Sequence, residues 1–102
     1  MAEENKTALS ATQVDDALQT LEGWSRSEAV LTRNFVFHDF EEITVFLNHL
    51  VRTITTQSHH PDFSLNTGLK MVSVALTTHS EQAITRADIQ FACALNAWAR
   101  ES

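Results

Sequence analysis

Three of the five histidines lie in two short polar segments that could carry proton-transfer chemistry. His59 and His60 stand side by side before Pro61, and His79 follows two threonines. An imidazole has an unperturbed pKa of about 6.5, so it can donate or accept a proton at neutral pH. Asp88 lies further along the chain and could orient one of these rings. The pattern predicts an acid–base site at one end of the fold.

Other interpretations of the same residues stay open at this point. The histidine pair could be an exposed polar turn, and His79 a surface residue. Asp88 could serve only as a helix cap, since it follows Thr85 at capping-box spacing. A zinc site is the rival interpretation, because zinc accepts three imidazoles and a water. Adjacent histidines point apart in extended backbone, and no H-x-x-x-H or H-x-H spacing is present, so we expect no metal.

The composition disfavours several classes of protein. A length of 102 residues, 43% of them hydrophobic, fits one globular domain with a modest core. A net charge of −6 disfavours direct nucleic-acid binding, which needs clustered Lys and Arg. The single cysteine, Cys93, excludes an internal disulfide framework and favours a reducing compartment. We find no leader and no apolar run of membrane-spanning length, and therefore expect a cytoplasmic protein.

The N-terminal part of the chain predicts a disordered tail and then a helix. Residues 1–9 are polar and acidic, so we expect them to be frayed, with a single domain over residues 10–102. Ser10 and Gln13 form an S-x-x-Q capping box, which predicts a helix start. Gly23 suits the left-handed residue that follows a helix end.

The next segment predicts a hairpin and the longest helix. Residues 24–37 alternate at strand period around a turn near residues 28–29. Asp39 with Glu42 caps a helix that runs to about Gln57. Its predicted apolar stripe is Phe40, Ile43, Leu47, Leu50, Val51 and Ile54. His38 and His49 fall outside this stripe and are expected to be solvated, whereas Cys93 on the last helix is expected to pack or to lie in an interface.

The C-terminal half predicts a second hairpin and a last helix. Residues 66–68 tolerate positive φ and form the turn, and residues 70–78 are apolar on both faces, which is typical of a central strand. Thr85 begins the last helix. The predicted fold is α+β, with the order αββαββα and a four-stranded antiparallel sheet covered on one face by three helices. Open sheet edges favour self-association.

Five segments spread over nearly the whole chain are specific in combination. They are Leu21-Glu22-Gly23-Trp24, Phe35-Val36-Phe37 with Asp39-Phe40, His59-His60-Pro61-Asp62, Thr77-Thr78-His79 and Ile84-Thr85-Arg86-Ala87-Asp88. This combination resembles the pterin-4a-carbinolamine dehydratase family, also known as the dimerisation cofactor of a homeodomain transcription factor. The resemblance implies the same order of elements, a homodimer that joins two sheets edge to edge, and often a homotetramer through the long helices.

The resemblance also implies roles for individual residues. The family's active-site histidines fall on His59, His60 and His79. The residues implied to contact a pterin are Ser58, His59, His60, Thr77, Thr78, His79, Ser80 and Asp88. Two positions depart from the family pattern: Thr55 stands where a glutamate is usual, and Thr67 stands near the place of an aromatic residue.

The implied reaction is the dehydration of 4a-hydroxytetrahydrobiopterin to quinonoid dihydropterin, in tetrahydrobiopterin recycling, without a cofactor. It needs one proton given to the departing hydroxyl and another taken from a ring nitrogen, which positioned imidazoles can do. We expect His79 to be the main proton donor, with Asp88 setting its tautomer, and His60 to contact the pterin. The alternative is a non-catalytic protein-interaction module of the transcriptional coactivator type on the same fold.

Overall fold

The computed structural model describes residues 5–101, with side chains over residues 5–98. Its elements are α1 (Ala11–Leu18), β1 (Ser25–Ser27), β2 (Val30–Val36), α2 (Phe40–Gln57), β3 (Asp62–Asn66), β4 (Met71–Leu76), a 3₁₀ turn (His79–Glu81) and α3 (Arg86–Glu101). The strands form one antiparallel sheet in the order β1-β2-β4-β3. The predicted α+β fold and the order αββαββα are therefore confirmed.

The centre of the sheet is the pair of strands β2 and β4, and its inner face carries the core. Leu31 pairs with Leu76, and Phe35 with Val72, so these apolar side chains share one face. The helices cover that face. The buried cluster consists of Val14, Leu21, Trp24, Leu31, Phe35, Phe37, Ile43, Phe46, Leu50, Val72, Val74, Leu76, Ile84, Phe91, Ala92 and Leu95. This core fixes α2 and α3 beside each other.

The long helix α2 begins at the predicted cap and turns most of its predicted apolar stripe to the core, including Ile43 and Leu50. Asp39 accepts a hydrogen bond from the Glu42 amide at 2.9 Å, as expected. The predicted apolar stripe is wrong at Phe40 and Val51, which are 50% and 55% exposed. Phe46, absent from the prediction, is fully buried, and the buried residues of the helix are Ile43, Phe46, Leu50 and Thr53. Their spacing of three or four residues follows the helical repeat, which places Phe40 and Val51 beside this face.

Residues 5–9 are held against α3, so the expectation of a frayed segment is wrong for them. The Arg86 amide donates to Thr7 O at 3.1 Å, and the Ala87 amide donates to Asn5 O at 2.8 Å. These amides belong to the first turn of α3, where no helical acceptor exists, and the N-terminal arm supplies the missing carbonyls. Residues 1–4 of the predicted tail lie outside the described residues.

A buried polar cluster ties α3 to the chain segment before β1. Asn96 Oδ1 accepts hydrogen bonds from Trp24 Nε1 at 2.8 Å and from Arg33 Nη1 at 2.6 Å. Burial lowers the pKa of the Arg33 guanidinium. Gly23 has a φ of 87°, as its position predicted, and a Cβ there would lie 2.5 Å from Arg33 Nε. The glycine is therefore required both by its backbone and by the guanidinium beside it.

The second hairpin turns as predicted, although the left-handed residue lies elsewhere. Lys70 has a φ of 50°, whereas Gly68 has no positive φ. Asn66 Oδ1 accepts from the Leu69 amide at 3.0 Å and closes the turn. Within residues 5–101, no helix is both long and apolar enough to cross a membrane.

One of the remaining expectations needs correction. His49 is half-buried and its Nε2 lies 3.2 Å from Ala94 O, so it bridges α2 and α3 instead of being fully solvated. His38 is exposed, as expected. Cys93 is exposed on α3, so of its two predicted roles the interface role stays a prediction.

Candidate functional site

The chain reversal at the end of α2 places the first histidine of the pair against α3 and leaves the second exposed. Ser58 adopts a left-handed conformation with a φ of 53°, which ends the helix and reverses the chain. His59 is then buried, while His60 remains exposed. The two rings lie 6.5 Å apart at an interplanar angle of 29°. Adjacent histidines therefore differ sharply in environment, because only the first lies against the core beside Phe91.

The buried histidine is paired with a buried carboxylate. His59 Nε2 lies 2.6 Å from Asp88 Oδ1, and the two side chains are only 7% and 0% exposed. A carboxylate in this position fixes the ring's orientation and tautomer and can compensate positive charge on the imidazole. Such short bonds to charged groups are stronger than neutral hydrogen bonds. The pair is thus held in a fixed geometry that suits acid–base chemistry.

The second oxygen of the carboxylate is held by two threonines. Asp88 Oδ2 accepts from the Thr85 amide at 2.9 Å and from Thr78 Oγ1 at 2.8 Å. The two threonine hydroxyls lie 2.7 Å apart. Both interpretations of Asp88 therefore apply at once, because one oxygen caps the start of α3 while the other holds an imidazole.

The predicted partner of Asp88 was wrong. The carboxylate pairs with His59, whereas His79 Nε2 lies 3.8 Å from Asp62 Oδ2. His79 and Asp62 are 75% and 80% exposed, so water screens this pair. The reason is topological: Thr78 is the last buried residue before the exposed 3₁₀ turn, and it occupies the place beside Asp88 that the prediction gave to His79.

A surface cleft of about 210 Å³ opens beside the His59–Asp88 pair. Its walls come from the arm before α1, the segment after α2 and the segment after β4. The lining residues are Lys6, His59, His60, Thr77, Thr78, His79 and Ser80. The three histidines predicted for the site are therefore brought together at one cleft. Ser58 and Asp88, which were predicted to contact a substrate, do not line it.

The hydroxyl residues of the cleft mainly hold its shape. Thr77 Oγ1 donates to Ala29 O at 2.7 Å, which ties this segment to the first hairpin. The Thr78 hydroxyl belongs to the carboxylate network described above. Ser80 Oγ donates to Glu81 Oε2 at 3.0 Å and is exposed. The Thr77 and Thr78 hydroxyls thus donate within the fold, and their contacts with a substrate stay a prediction.

One residue of this region was missed by sequence reasoning, because Lys6 lines the cleft. Thr85, which was predicted to cap the last helix with Asp88, holds the buried carboxylate through its amide. Leu9 and Val14 stand at the positions of a hydrophobic staple around the capping box, and this signal could have shown that the chain before α1 is fixed. Among the described side chains, no group of three His, Cys, Asp or Glu residues could hold a metal ion.

Comparisons with known proteins agree on one family. A family model described as pterin 4 alpha carbinolamine dehydratase matches residues 7–98. A protein of Rhodopseudomonas palustris (strain HaA2) named as such a dehydratase is 37% identical over 91 residues, which cover 87% of this chain and 88% of that protein. One from Sulfurisphaera tokodaii with the same name is 34% identical over 84 residues, covering 82% of this chain and 88% of its own.

The structural comparison agrees with the sequence comparison. A crystal structure from Brucella melitensis, described as a transcriptional coactivator/pterin dehydratase, superposes with a TM-score of 0.82. It is 31% identical to this chain and covers 89% of it, while the match covers 97% of the Brucella chain.

Proposed function

The chain belongs to the pterin 4 alpha carbinolamine dehydratase family, and we propose that it catalyses the dehydration of a 4a-hydroxytetrahydropterin to a quinonoid dihydropterin and water. The observation that carries this proposal is the buried His59–Asp88 pair beside a cleft with two more imidazoles. That arrangement offers proton donors and acceptors at fixed positions. The alternative of an exposed polar turn does not account for a buried, oriented ring.

The reaction needs two proton transfers and no change of oxidation state. The bond between C4a and the hydroxyl oxygen breaks, the electron pair leaves with the oxygen, and a proton on that oxygen completes the water. A second proton leaves a ring nitrogen as the quinonoid double bond forms. Each positioned acid or base contributes on the order of 10²–10⁴-fold to such a step.

We assign the transfer to the departing hydroxyl to His59. Its Nε2 is engaged by Asp88, and this contact orients the ring for proton exchange with the substrate. When the His59 ring gives up or regains a proton, its hydrogen bond to the Asp88 carboxylate keeps the ring in the same orientation. His60 and His79 are exposed and suit the other transfer, because each can pass a proton between the substrate and water.

The size of the cleft is consistent with a flat ligand that stays partly exposed. A volume of about 210 Å³ lies below the range of about 300–1,000 Å³ that is usual for enclosed small-molecule sites. A bicyclic pterin would therefore lie along the histidine wall with one edge toward solvent. Its polar edge would meet the backbone and side chains of the segment after β4.

A stopped-flow assay tests the proposed activity. Carbinolamine generated in the instrument should lose water faster with the protein than with buffer alone. The same assay after exhaustive chelation should give an unchanged rate, because we assign no step to a metal. A rate equal to buffer catalysis in the presence of folded protein would contradict the enzymatic function.

We also propose a homo-oligomer. All residues of edge strand β3 are exposed, and Phe63 and Leu65 are 44% and 40% exposed on it. The long helix exposes Val45 and Val51 as well. An unpaired strand edge and apolar helix surface both favour burial against a second copy. Light scattering at micromolar concentration should return a multiple of 11.4 kDa, and the monomer mass would contradict this.

A protein-interaction role is the second candidate. The name of the Brucella structure includes transcriptional coactivator, and the exposed apolar residues of α2 could serve a different protein as well as a second copy. A chain that is inactive in the stopped-flow assay yet binds a protein partner would favour this role.

A cytoplasmic location is proposed with either function. Cys93 is unpaired and exposed, which suits a reducing compartment.

A further inference from the structure

We infer that Lys6 is a substrate-binding residue of the cleft, whose ammonium group donates a hydrogen bond to an acceptor oxygen of the bound pterin ring. This inference rests on the proposed function, because it takes a pterin as the ligand. It gives the N-terminal arm before α1 a role in the site, although residues 1–9 contain no histidine.

The first support is the rigidity of the arm on both sides of Lys6. Asn5 O accepts from the Ala87 amide at 2.8 Å, and Thr7 O accepts from the Arg86 amide at 3.1 Å. Further along, the Leu9 amide donates to Ile84 O at 3.0 Å. The backbone of Lys6 is thus anchored directly before and after it, to the same helix start that carries Asp88. The lysine is therefore placed relative to the His59–Asp88 pair by the fold.

The second support is the chemistry of the cleft wall. Among the described residues that line the cleft, Lys6 carries the only permanent charge, beside three imidazoles and three hydroxyl residues. An ammonium group has three donors and no acceptor. A pterin presents a ring carbonyl oxygen as a strong acceptor on its polar edge. A charge-assisted hydrogen bond to that oxygen would fix the ring in the cleft before and during dehydration.

The contact is assigned to binding, not to the proton transfers. The ring carbonyl is not part of the bond that breaks when the 4a-hydroxyl departs. A hydrogen bond to the carbonyl oxygen therefore stabilises the bound substrate and the transition state about equally. Loss of such an interaction raises KM and leaves kcat nearly unchanged. Removing one hydrogen bond to a charged group is expected to lower the affinity for the ligand about tenfold.

The sequence offers a matched control for the test. It contains two lysines, Lys6 and Lys70. Lys70 lies at the β3–β4 turn with its ammonium group 5.9 Å from the Phe40 ring, and it does not line the cleft. Lys6→Gln and Lys70→Gln therefore make the same change of charge, one inside the site and one outside it. Lys6→Arg keeps the charge and the donors.

The probe for direct binding is dihydrobiopterin, which carries no 4a-hydroxyl and does not react. Lys6→Gln should raise its Kd, and the KM for the carbinolamine, about tenfold. Lys6→Arg should recover most of this affinity, and Lys70→Gln should match the wild type. Unchanged Kd in Lys6→Gln, or a fall in kcat with KM unchanged, would overturn the inference. Circular dichroism and thermal unfolding establish that each variant is folded.

Protection from chemical modification gives a readout that needs no turnover. Acetylation followed by mass spectrometry should show that dihydrobiopterin slows the modification of Lys6 and leaves that of Lys70 unaffected. Equal slowing at both lysines, or slowing at neither lysine, would overturn the inference. If the wild type binds dihydrobiopterin but does not accelerate dehydration, the proposed function fails. The Kd of Lys6→Gln for dihydrobiopterin, relative to that of the wild type, still decides the role of Lys6.

Discussion

Replacing His59 with glutamine is expected to lower kcat by about a hundredfold or more, the range for loss of a positioned acid or base. The reason is the environment of the ring: it is buried and held at 2.6 Å by Asp88. A glutamine fills a comparable space and can form hydrogen bonds, but it cannot exchange a proton at neutral pH. Stopped-flow kinetics over a range of substrate concentration would measure kcat and KM separately.

The same substitution at the two exposed histidines provides the comparison. His60→Gln and His79→Gln should each cost less in kcat than His59→Gln, since neither ring is held by a buried carboxylate. Water near an exposed site can partly replace a lost proton carrier. A kcat for His79→Gln as low as that of His59→Gln would show that the histidines act as one unit. Circular dichroism distinguishes a kinetic loss from unfolding.

The fold could be read from the sequence because its local signals agree with each other. Ser10 with Gln13, and Asp39, cap helices where the spacing placed them. The alternation in β2 predicted a strand, and the two-sided apolar character of β4 correctly predicted a central one. These are short-range patterns that the backbone itself enforces. The errors in the stripe of α2 have a different origin, because Phe40 and Val51 are apolar but are not covered within this chain.

The meeting of three histidines at one cleft was predicted, but the histidine that pairs with Asp88 was not. Sequence segments brought His59, His60 and His79 to one cleft, as expected. Which imidazole meets Asp88 depends on a left-handed residue after α2 and on a buried Thr78, and these are tertiary outcomes without a local signal. Lys6 was not predicted to line the cleft, because the polar and acidic composition of residues 1–9 predicts a disordered tail. The arm is instead fixed by unpaired amides at the start of α3, a distant element.

The buried carboxylate should carry the largest effect on stability. Asp88 accepts from the Thr85 amide and the Thr78 hydroxyl and pairs with His59, all in a fully buried position. Asp88→Ala leaves these groups without their acceptor, and removal of one partner from a buried charged pair costs about 3–5 kcal/mol. Urea unfolding measures this loss of stability, which should appear as a lower midpoint concentration of urea at an unchanged m-value. A change below about 1 kcal/mol would show that water replaces the carboxylate fully.

Asp88→Asn separates the capping role from the orienting role, because the amide keeps the shape and one acceptor oxygen. If that oxygen stays on Thr85 and Thr78, the amide nitrogen faces His59 Nε2 and donates to it. The ring must then carry its proton on Nδ1, the opposite tautomer to the one that a carboxylate partner selects. A folded variant with kcat lowered at least as far as in His59→Gln is therefore expected, with Asp62→Asn at the exposed His79 pair as the unaffected control. Wild-type kcat in Asp88→Asn would mean that Asp88 serves only as a cap of α3, and the proton transfer would have to be assigned to His60 and His79.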